Sequence, residues 1–338
     1  MTYDIEKLTA TAKTFGKSRI AVVGDLMLDV YVWGNVTRIS PEAPVPIVHV
    51  EKKTHCLGGA ANVMRNAVTM GGGAVHAFGV VGCDPNGEEV HRQLKNFGIR
   101  PEGVYSDASR RTIEKQRIIA GPQQLLRIDY EDIEEVEGTC REDIIARILK
   151  LIGAGEVDAI IFEDYGKGML SEEVLERILP AARAKGIVTT LDPKPGHLRP
   201  VKGLSVMKPN RGEAFGMAGR VYRDQGLPPE KDSQLHEVAQ ILLDEWEPDY
   251  LVISLAAQGM ALFRRRHEML VIPTRAQEVF DVSGAGDTVI AALTLGLAAG
   301  ADIADAAHIA NFAAGIVVGR VGTATVSADE LIRSFSQP

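Results

Sequence analysis

The chain reads as a doubly wound α/β protein: a mostly parallel sheet flanked by helices, with a small β lid. Three observations predict this. Short apolar runs that end in polar or glycine residues recur along its 338 residues. Patterns of helical period stand between most of them. Two further stretches carry β-forming residues and no helical period. The length suits one large α/β domain or two smaller ones.

The first strand is Arg19-Ile20-Ala21-Val22-Val23-Gly24-Asp25, a buried run closed by a polar turn. Comparable runs lie at 77–81, 159–162, 188–191, 204–207 and 251–255. Helical patterns occupy 87–97, 141–152, 171–185 and 234–246. Ligands of such sheets sit beyond the carboxyl ends of the strands, so the residues after each run are the site candidates. The segments at about 30–53 (with Pro41, Pro44 and Pro46) and 104–129 break this rhythm. Both read as antiparallel strands outside the main sheet, forming the lid; a pair of long surface loops is the other reading. A lid keeps water from a phosphate donor.

Net charge is −8, so no global basic field favours nucleic acid or an anionic membrane. Cys56, Cys83 and Cys140 are isolated, and no histidines stand at metal-ligand spacing on a helix. Residues 1–17 are polar with no apolar signal core, and no apolar run approaches the ~20 residues of a membrane span. The expectation is a reduced, cytoplasmic protein without disulfides or structural zinc. Gly16-Lys17-Ser18 ends like a P-loop, but Thr11 stands where its first glycine belongs and a strand follows. Val289 spoils a dinucleotide fingerprint beginning at Gly284. No GxSxG elbow is present.

The stretch Phe280-Asp281-Val282-Ser283-Gly284-Ala285-Gly286-Asp287 opens directly into an Ala/Leu-rich helix. Its glycines let the backbone approach a ligand closely, and the free N–H groups of the helix start suit an anion. A carboxylate beside a phosphate cradle makes sense if Asp287 deprotonates the hydroxyl that attacks the phosphate. An ordinary helix start with an acid complementing the dipole is the alternative. Gly58-Gly59-Ala60-Ala61-Asn62 is a second glycine-led helix start, and Asn62 can exchange hydrogen bonds with hydroxyls. In Lys208-Pro209-Asn210-Arg211-Gly212-Glu213, Asn210 and Glu213 share a helix face. They suit either Mg²⁺ beside nucleotide phosphates or an N-capping box. Arg110, Arg111, Lys115, Arg117 and Arg127 crowd one segment of this acidic chain. Lys115 and Arg117 share a strand face and suit a sugar phosphate, with Arg38 and Lys167 adding to them. A solvated basic lid edge is the bland reading.

Gly58–Asn62, Asn210–Glu213 and the Gly284–Asp287 turn, in this order, resemble the ribokinase-like carbohydrate kinases of the PfkB family. The resemblance covers nearly the full length. It implies a ribokinase-like fold, one kinase domain over 1–338, ATP and Mg²⁺, and Asp287 as catalytic base. It also implies an anion hole at Gly284, Ala285 and Gly286, and a nucleotide site at Lys208, Asn210, Arg211, Gly212 and Glu213. Asp29 matches the family's sugar-hydroxyl acceptor, with Gly58, Gly59 and Asn62 beside the sugar. A K⁺ ion near Asp281 and Ser283 and a homodimer paired through the lids follow from the same resemblance. The family carries Thr and Gly after the adenine-flanking strand; here Ser254 replaces the Thr and Gly259 is kept, but Ala256 replaces the nearer glycine.

Four runs carry a narrower resemblance to the kinase module of bacterial heptose kinases. They are Arg38-Ile39-Ser40-Pro41-Glu42-Ala43-Pro44-Val45-Pro46, Gln123-Gln124-Leu125-Leu126-Arg127, Glu163-Asp164-Tyr165-Gly166-Lys167-Gly168 and Gly322-Thr323-Ala324-Thr325-Val326. This implies phosphorylation of D-glycero-D-manno-heptose 7-phosphate at its anomeric hydroxyl, on the route to ADP-heptose and lipopolysaccharide core, with Asp164 and Lys167 near the sugar. No HxGH nucleotide-transfer signature is present, so the expectation is the kinase alone. A kinase of another sugar phosphate or nucleoside, or a silent sugar-phosphate sensor, are the alternatives.

Overall fold

The computed structural model describes residues 3–276, 278–320 and 322–336. Helix α1 (Ile5–Ala12), capped by the Asp4 carboxylate, leads to β1 (Arg19–Gly24). Two long strands follow, β2 (Leu26–Ile39) and β3 (Pro46–Gly59), then α2 (Ala60–Thr69), β4 (Ala74–Gly82), α3 (Pro85–Asn96) and β5 (Arg100–Asp107). The hairpin β6 (Ile113–Ala120) and β7 (Gln123–Tyr130) precedes α4 (Gly138–Ala154), β8 (Ala159–Glu163), α5 (Glu172–Ala184), β9 (Val188–Asp192) and β10 (Val206–Met207). The last third holds α6 (Arg211–Met217), α7 (Ser233–Trp246), β11 (Tyr250–Ser254), β12 (Met260–Phe263), β13 (Leu270–Ile272), α8 (Ala285–Ala298), α9 (Ile303–Val317) and α10 (Ala328–Ser334).

The main sheet runs β13-β12-β11-β10-β9-β8-β1-β4-β5. Every strand is parallel to its neighbours except β12, which is antiparallel to both β11 and β13. Both faces are covered, as a parallel sheet requires. Along β1, Ile20 and Val22 pack into one core and Ala21 and Val23 into the other, following the two-residue alternation of a strand. Helices α1, α2, α3, α8, α9 and α10 close the first face; α4, α5, α6 and α7 close the second. The fold is thus the doubly wound, mostly parallel α/β architecture with a small second sheet that the sequence predicts. Among the described residues, no helix is long and apolar enough to cross a membrane.

A second, smaller sheet has the order β3-β2-β6-β7. It differs from the expectation in two ways. The chain from Arg100 to Asp107 joins the main sheet as β5, parallel to β4. Helix α3 stands between those strands, and a strand–helix–strand unit returns parallel. The small sheet is also not wholly antiparallel: β2–β3 and β6–β7 are antiparallel hairpins, but β2 and β6 pair parallel. Both leave the same edge of the main sheet, β2 after β1 and β6 after β5, so they set out in one direction.

Strand β2 is buried from Leu26 to Val32 and exposed from Asn35 to Ile39, so it starts in the core and ends as a projecting tip. The register slips between Trp33 and Gly34. A Cβ at Gly34 would sit 2.3 Å from the His49 carbonyl oxygen, so only glycine fits that bulge.

Candidate active site

The carboxyl ends of the central strands bring charged residues to one edge: Asp25 after β1, Glu163 and Asp164 at β8, Asp192 at β9 and Lys208 after β10. Helix α8 starts at the same edge. The Thr190 and Thr294 hydroxyls, 2.8 Å apart, tie it to β9.

Asp287 lies in the first turn of α8 and is 7% exposed. Its Oδ2 accepts from Asn62 Nδ2 at 2.6 Å, and its Oδ1 accepts from the Tyr165 hydroxyl at 2.8 Å. Burial pushes the Asp287 carboxyl up, while the Asn62 and Tyr165 donors and nearby Lys208 hold it down. Gly284 precedes the helix in the left-handed region, at φ 76°. A Cβ there would lie 2.8 Å from the same Asn62 nitrogen. Gly286 is different: an added Cβ would meet nothing nearer than Lys208 Nζ at 3.6 Å. Packing therefore does not demand a glycine at 286. Its missing side chain leaves a cradle beside the helix N–H groups, a suitable seat for a phosphate.

Lys208 is 2% exposed and its Nζ lies 2.6 Å from Asp192 Oδ2. Burial would lower the Lys208 ammonium, but Asp192, Glu163 and Glu213 outweigh it and raise it instead. Burial pushes the Asp192 carboxyl up to about 7, with Lys208 opposing. Glu163 is pushed well up by burial and by Asp192 and Asp287. Its Oε2 is buried with no hydrogen-bond partner among the described residues. Carboxylates thus outnumber cations here, which suits a metal-bound phosphate donor more than a bare anion.

The loop after β8 is held from below. Asp25 accepts the amides of Tyr165 at 2.9 Å, Lys167 at 3.0 Å and Met169 at 3.0 Å. Asp164 accepts from Gly166 N at 2.8 Å, and its carboxylate sits 2.9 Å from His197 Nδ1. Its side chain is wholly buried, and Asp164 braces the loop through these contacts. Lys167 is paired with Glu131 at 2.6 Å.

One face of the small sheet covers this edge. Across the β2–β6 pairing Asp29 stands opposite Lys115 and Tyr31 opposite Arg117. Asp29 Oδ1 is ion-paired with Arg117 Nη1. Gly58 makes room for Asp29: a Cβ there would be 2.6 Å from Asp29 Oδ2. The Lys115 ammonium lies 5.5 Å from the centre of the Tyr165 ring. Arg127 pairs with Asp129 and Arg111 with Asp132, while Arg110 reaches the carbonyls of Glu134 and Lys167. Among the described residues Lys115 is in no ion pair, and its burial lowers its basicity.

Other expected residues stand apart or are engaged. Asn210 and Glu213 form the capping box of α6, with Asn210 Oδ1 accepting Glu213 N at 2.9 Å and Glu213 Oε2 accepting Asn210 N at 2.8 Å. Glu213 Oε1 is left over. Arg211 donates to the Tyr222 hydroxyl at 2.6 Å and to Gln258 Oε1, so its guanidinium is spent on neighbouring loops. Gly212 is exposed beside Asn210. Ser254 ends β11 and its amide donates to Pro209 O at 3.1 Å. Gly259 has a packing reason, because a Cβ would sit 2.1 Å from Ile272 O. Each oxygen of Asp281 already accepts an amide at 2.9 Å, from Ser283 and from Gly322. Arg38 is exposed at the small sheet's tip, far along β2 from Asp29.

Residues 17–330 match the profile described as pfkB family carbohydrate kinase. The chain belongs to that family. It is 42% identical over 314 residues to the bifunctional protein HldE of Citrifermentans bemidjiense, covering 93% of this chain and 62% of that protein. It is 41% identical over 332 residues to the HldE protein of Geobacter sulfurreducens, covering 98% and 65%. The chain thus spans less than two thirds of these relatives' length. Its fold is similar to that of Arabidopsis thaliana ribokinase complexed with ribose and ATP, at TM-score 0.70 and 16% identity over 95% of this chain and 99% of that one. It is also similar to Escherichia coli phosphofructokinase-2 in complex with potassium, at TM-score 0.73 and 18% identity over 94% and 98%.

For a pfkB-family chain the sequence reading left several contributors unassigned. Asp192 and Glu163 stand at strand ends, so the strand-end rule already pointed at them. Arg65 lies three residues beyond Asn62 on α2 and donates to Asn62 Oδ1 at 2.8 Å, a helix spacing that was readable. Asn66 accepts from the Thr288 hydroxyl at 2.9 Å, linking α2 to α8. Tyr165 gave no local signal for its contact with Asp287.

Proposed function

We propose that this chain phosphorylates D-glycero-D-manno-heptose 7-phosphate at its anomeric hydroxyl with ATP. The observation that carries the reading is the buried Asp287 carboxylate, in the first turn of α8 beside the open Gly286 cradle and bound by the Tyr165 hydroxyl, whose ring centre lies 5.5 Å from the Lys115 ammonium. In this reading Asp287 takes the proton of the sugar hydroxyl as its oxygen attacks the γ-phosphorus. The new O–P bond forms as the β–γ bridge breaks, and ADP leaves with the bond's electrons. The amides around Gly284, Ala285 and Gly286 face the charge that develops on the transferring group. Lys208 adds positive charge at the cradle.

In this reading Asp29 accepts sugar hydroxyls. Lys115, and Arg117 from its ion pair with Asp29, would receive the sugar's own phosphate, supported by the resemblance of the Arg38–Pro46 and Glu163–Gly168 runs to heptose kinases. Among the described residues no group of three or more carboxylate, His or Cys side chains could hold a metal ion, so Mg²⁺ would be carried mainly by the nucleotide phosphates, with Glu213 and Asn210 beside it, and would neutralise charge on them. Exposed Val36, Ile39, Val45 and Val50 on the β2–β3 tip support a homodimer paired there.

A panel of heptose 7-phosphate, fructose 6-phosphate, ribose and a nucleoside with ATP, read by coupled ADP release, tests the substrate. Heptose 7-phosphate is expected to lead in kcat/KM. If it is no better than the others, the chain is a kinase of another sugar. If no acceptor yields ADP, the sensor reading replaces it.

A further inference from the structure

The proposed reaction needs one thing the family resemblance does not supply: a reason for the Asp287 carboxylate to hold one orientation in its pocket. Asn62 secures one oxygen. The other is secured by a residue from a different strand, with its own support. The Tyr165 hydroxyl donates to Asp287 Oδ1 at 2.8 Å. The loop that presents Tyr165 cannot easily drift, since the buried Asp25 carboxylate gathers the amides of Tyr165, Lys167 and Met169 and Asp164 gathers that of Gly166.

We propose that Tyr165 is a positioning residue for the proton-accepting carboxylate, fixing Asp287 between β8 and α2 and linking it to the substrate-covering sheet. This rests on the kinase reading above. With one donor on each oxygen, the carboxylate plane is set, and each oxygen keeps a lone-pair site for a substrate hydroxyl. The same tyrosine ring carries the Lys115 ammonium 5.5 Å from its centre, so one side chain touches both the acceptor and the lid cation placed for the sugar phosphate. The charged groups around Asp287 are Lys208 after β10, Asp29 on β2, Glu163 at the end of β8 and Asp192 at the end of β9. None of them donates a hydrogen bond to Oδ1, which leaves that task to Tyr165 among the described residues.

Tyr165→Phe keeps the ring and removes the donor. Steady-state kinetics across pH, with the best acceptor of the panel, test it. The variant is expected to fold, with a melting temperature lowered by the lost donor, and to keep its KM for ATP. Its kcat falls about tenfold or more, as the loss of a hydrogen bond to a charged group predicts. The acidic limb of its kcat profile moves to higher pH, because the carboxylate loses a donor that favours its charged form. A merely structural role would lower the melting temperature but leave kcat and that limb in place. An active wild type with a Tyr165→Phe variant of equal kcat and unmoved limb overturns the inference and leaves the kinase reading standing. A wild type inactive toward every acceptor overturns the kinase reading itself, and this inference with it.

Discussion

Asn62 and Asp287 are 225 positions apart in sequence, yet the Asn62 amide donates to Asp287 Oδ2 at 2.6 Å inside a buried pocket. Sequence suggested that both would face substrate. In the structure Asn62 faces Asp287, and Arg65 and Asn66 hold the other end of its carboxamide. Asn62→Ala would leave a buried carboxylate short of one donor. The expected cost is about 1.5–3 kcal/mol of stability, in the range for hydrogen bonds to charged groups, together with lower turnover. Denaturant melts and the ADP assay on one preparation check both; an Asn62→Ala protein as stable and active as the parent would refute this role.

Lys115, whose ammonium lies 5.5 Å from the centre of the Tyr165 ring at the candidate site, is in no ion pair among the described residues. Lys115→Gln should therefore raise KM for a phosphorylated sugar about tenfold or more, the value of one charge-assisted contact, and leave KM for ATP alone. An unphosphorylated acceptor should not sense the change. Equal effects on both acceptors would place the phosphate elsewhere.

Ala256 sits at φ 52°, in the left-handed region, where the resembling family has glycine. A non-glycine residue there costs about 1–2 kcal/mol, part of which glycine returns through its freer unfolded chain. Ala256→Gly should thus stabilise the fold by about 0.5–1 kcal/mol. Calorimetry showing a lower melting temperature would reject that account.

The tie between Asp164 and His197 makes stability depend on pH. The Asp164 contact raises the His197 imidazole above its ordinary value of about 6.5. A group raised on folding stabilises fully below its unfolded pKa, and that contribution fades as pH climbs through the folded value. The melting temperature should fall across the pH range just above about 6.5, and His197→Gln should remove that slope. A slope unchanged in His197→Gln would assign it to another group.

The main sheet and the central turn were legible because they rest on local patterns. Apolar runs, helical periods and the Gly284–Asp287 turn are each written in a few consecutive residues. Strand β5 was misplaced because alternation says that a strand exists but not which sheet it joins; the α3 crossover decides that. The partners of Asp164 and Arg211 were hidden for a related reason. Each lies where a ligand contact was expected, but its partners, His197 and Gln258, come from distant loops. The Asn210–Glu213 spacing fitted two readings, and the observed capping box satisfies the local one while leaving Glu213 Oε1 available. Tyr165 was hidden because a buried hydroxyl's partner depends on tertiary packing.

The central claim is that Asp287 accepts the hydroxyl proton. Its most direct test is Asp287→Asn in the ADP-coupled assay, with ATP affinity measured by calorimetry on the same protein. The substitution keeps shape and removes the base, so turnover should fall by at least ~10²–10⁴ while fold and ATP affinity are nearly unchanged. An Asp287→Asn protein that keeps most of the wild-type turnover would contradict the claim.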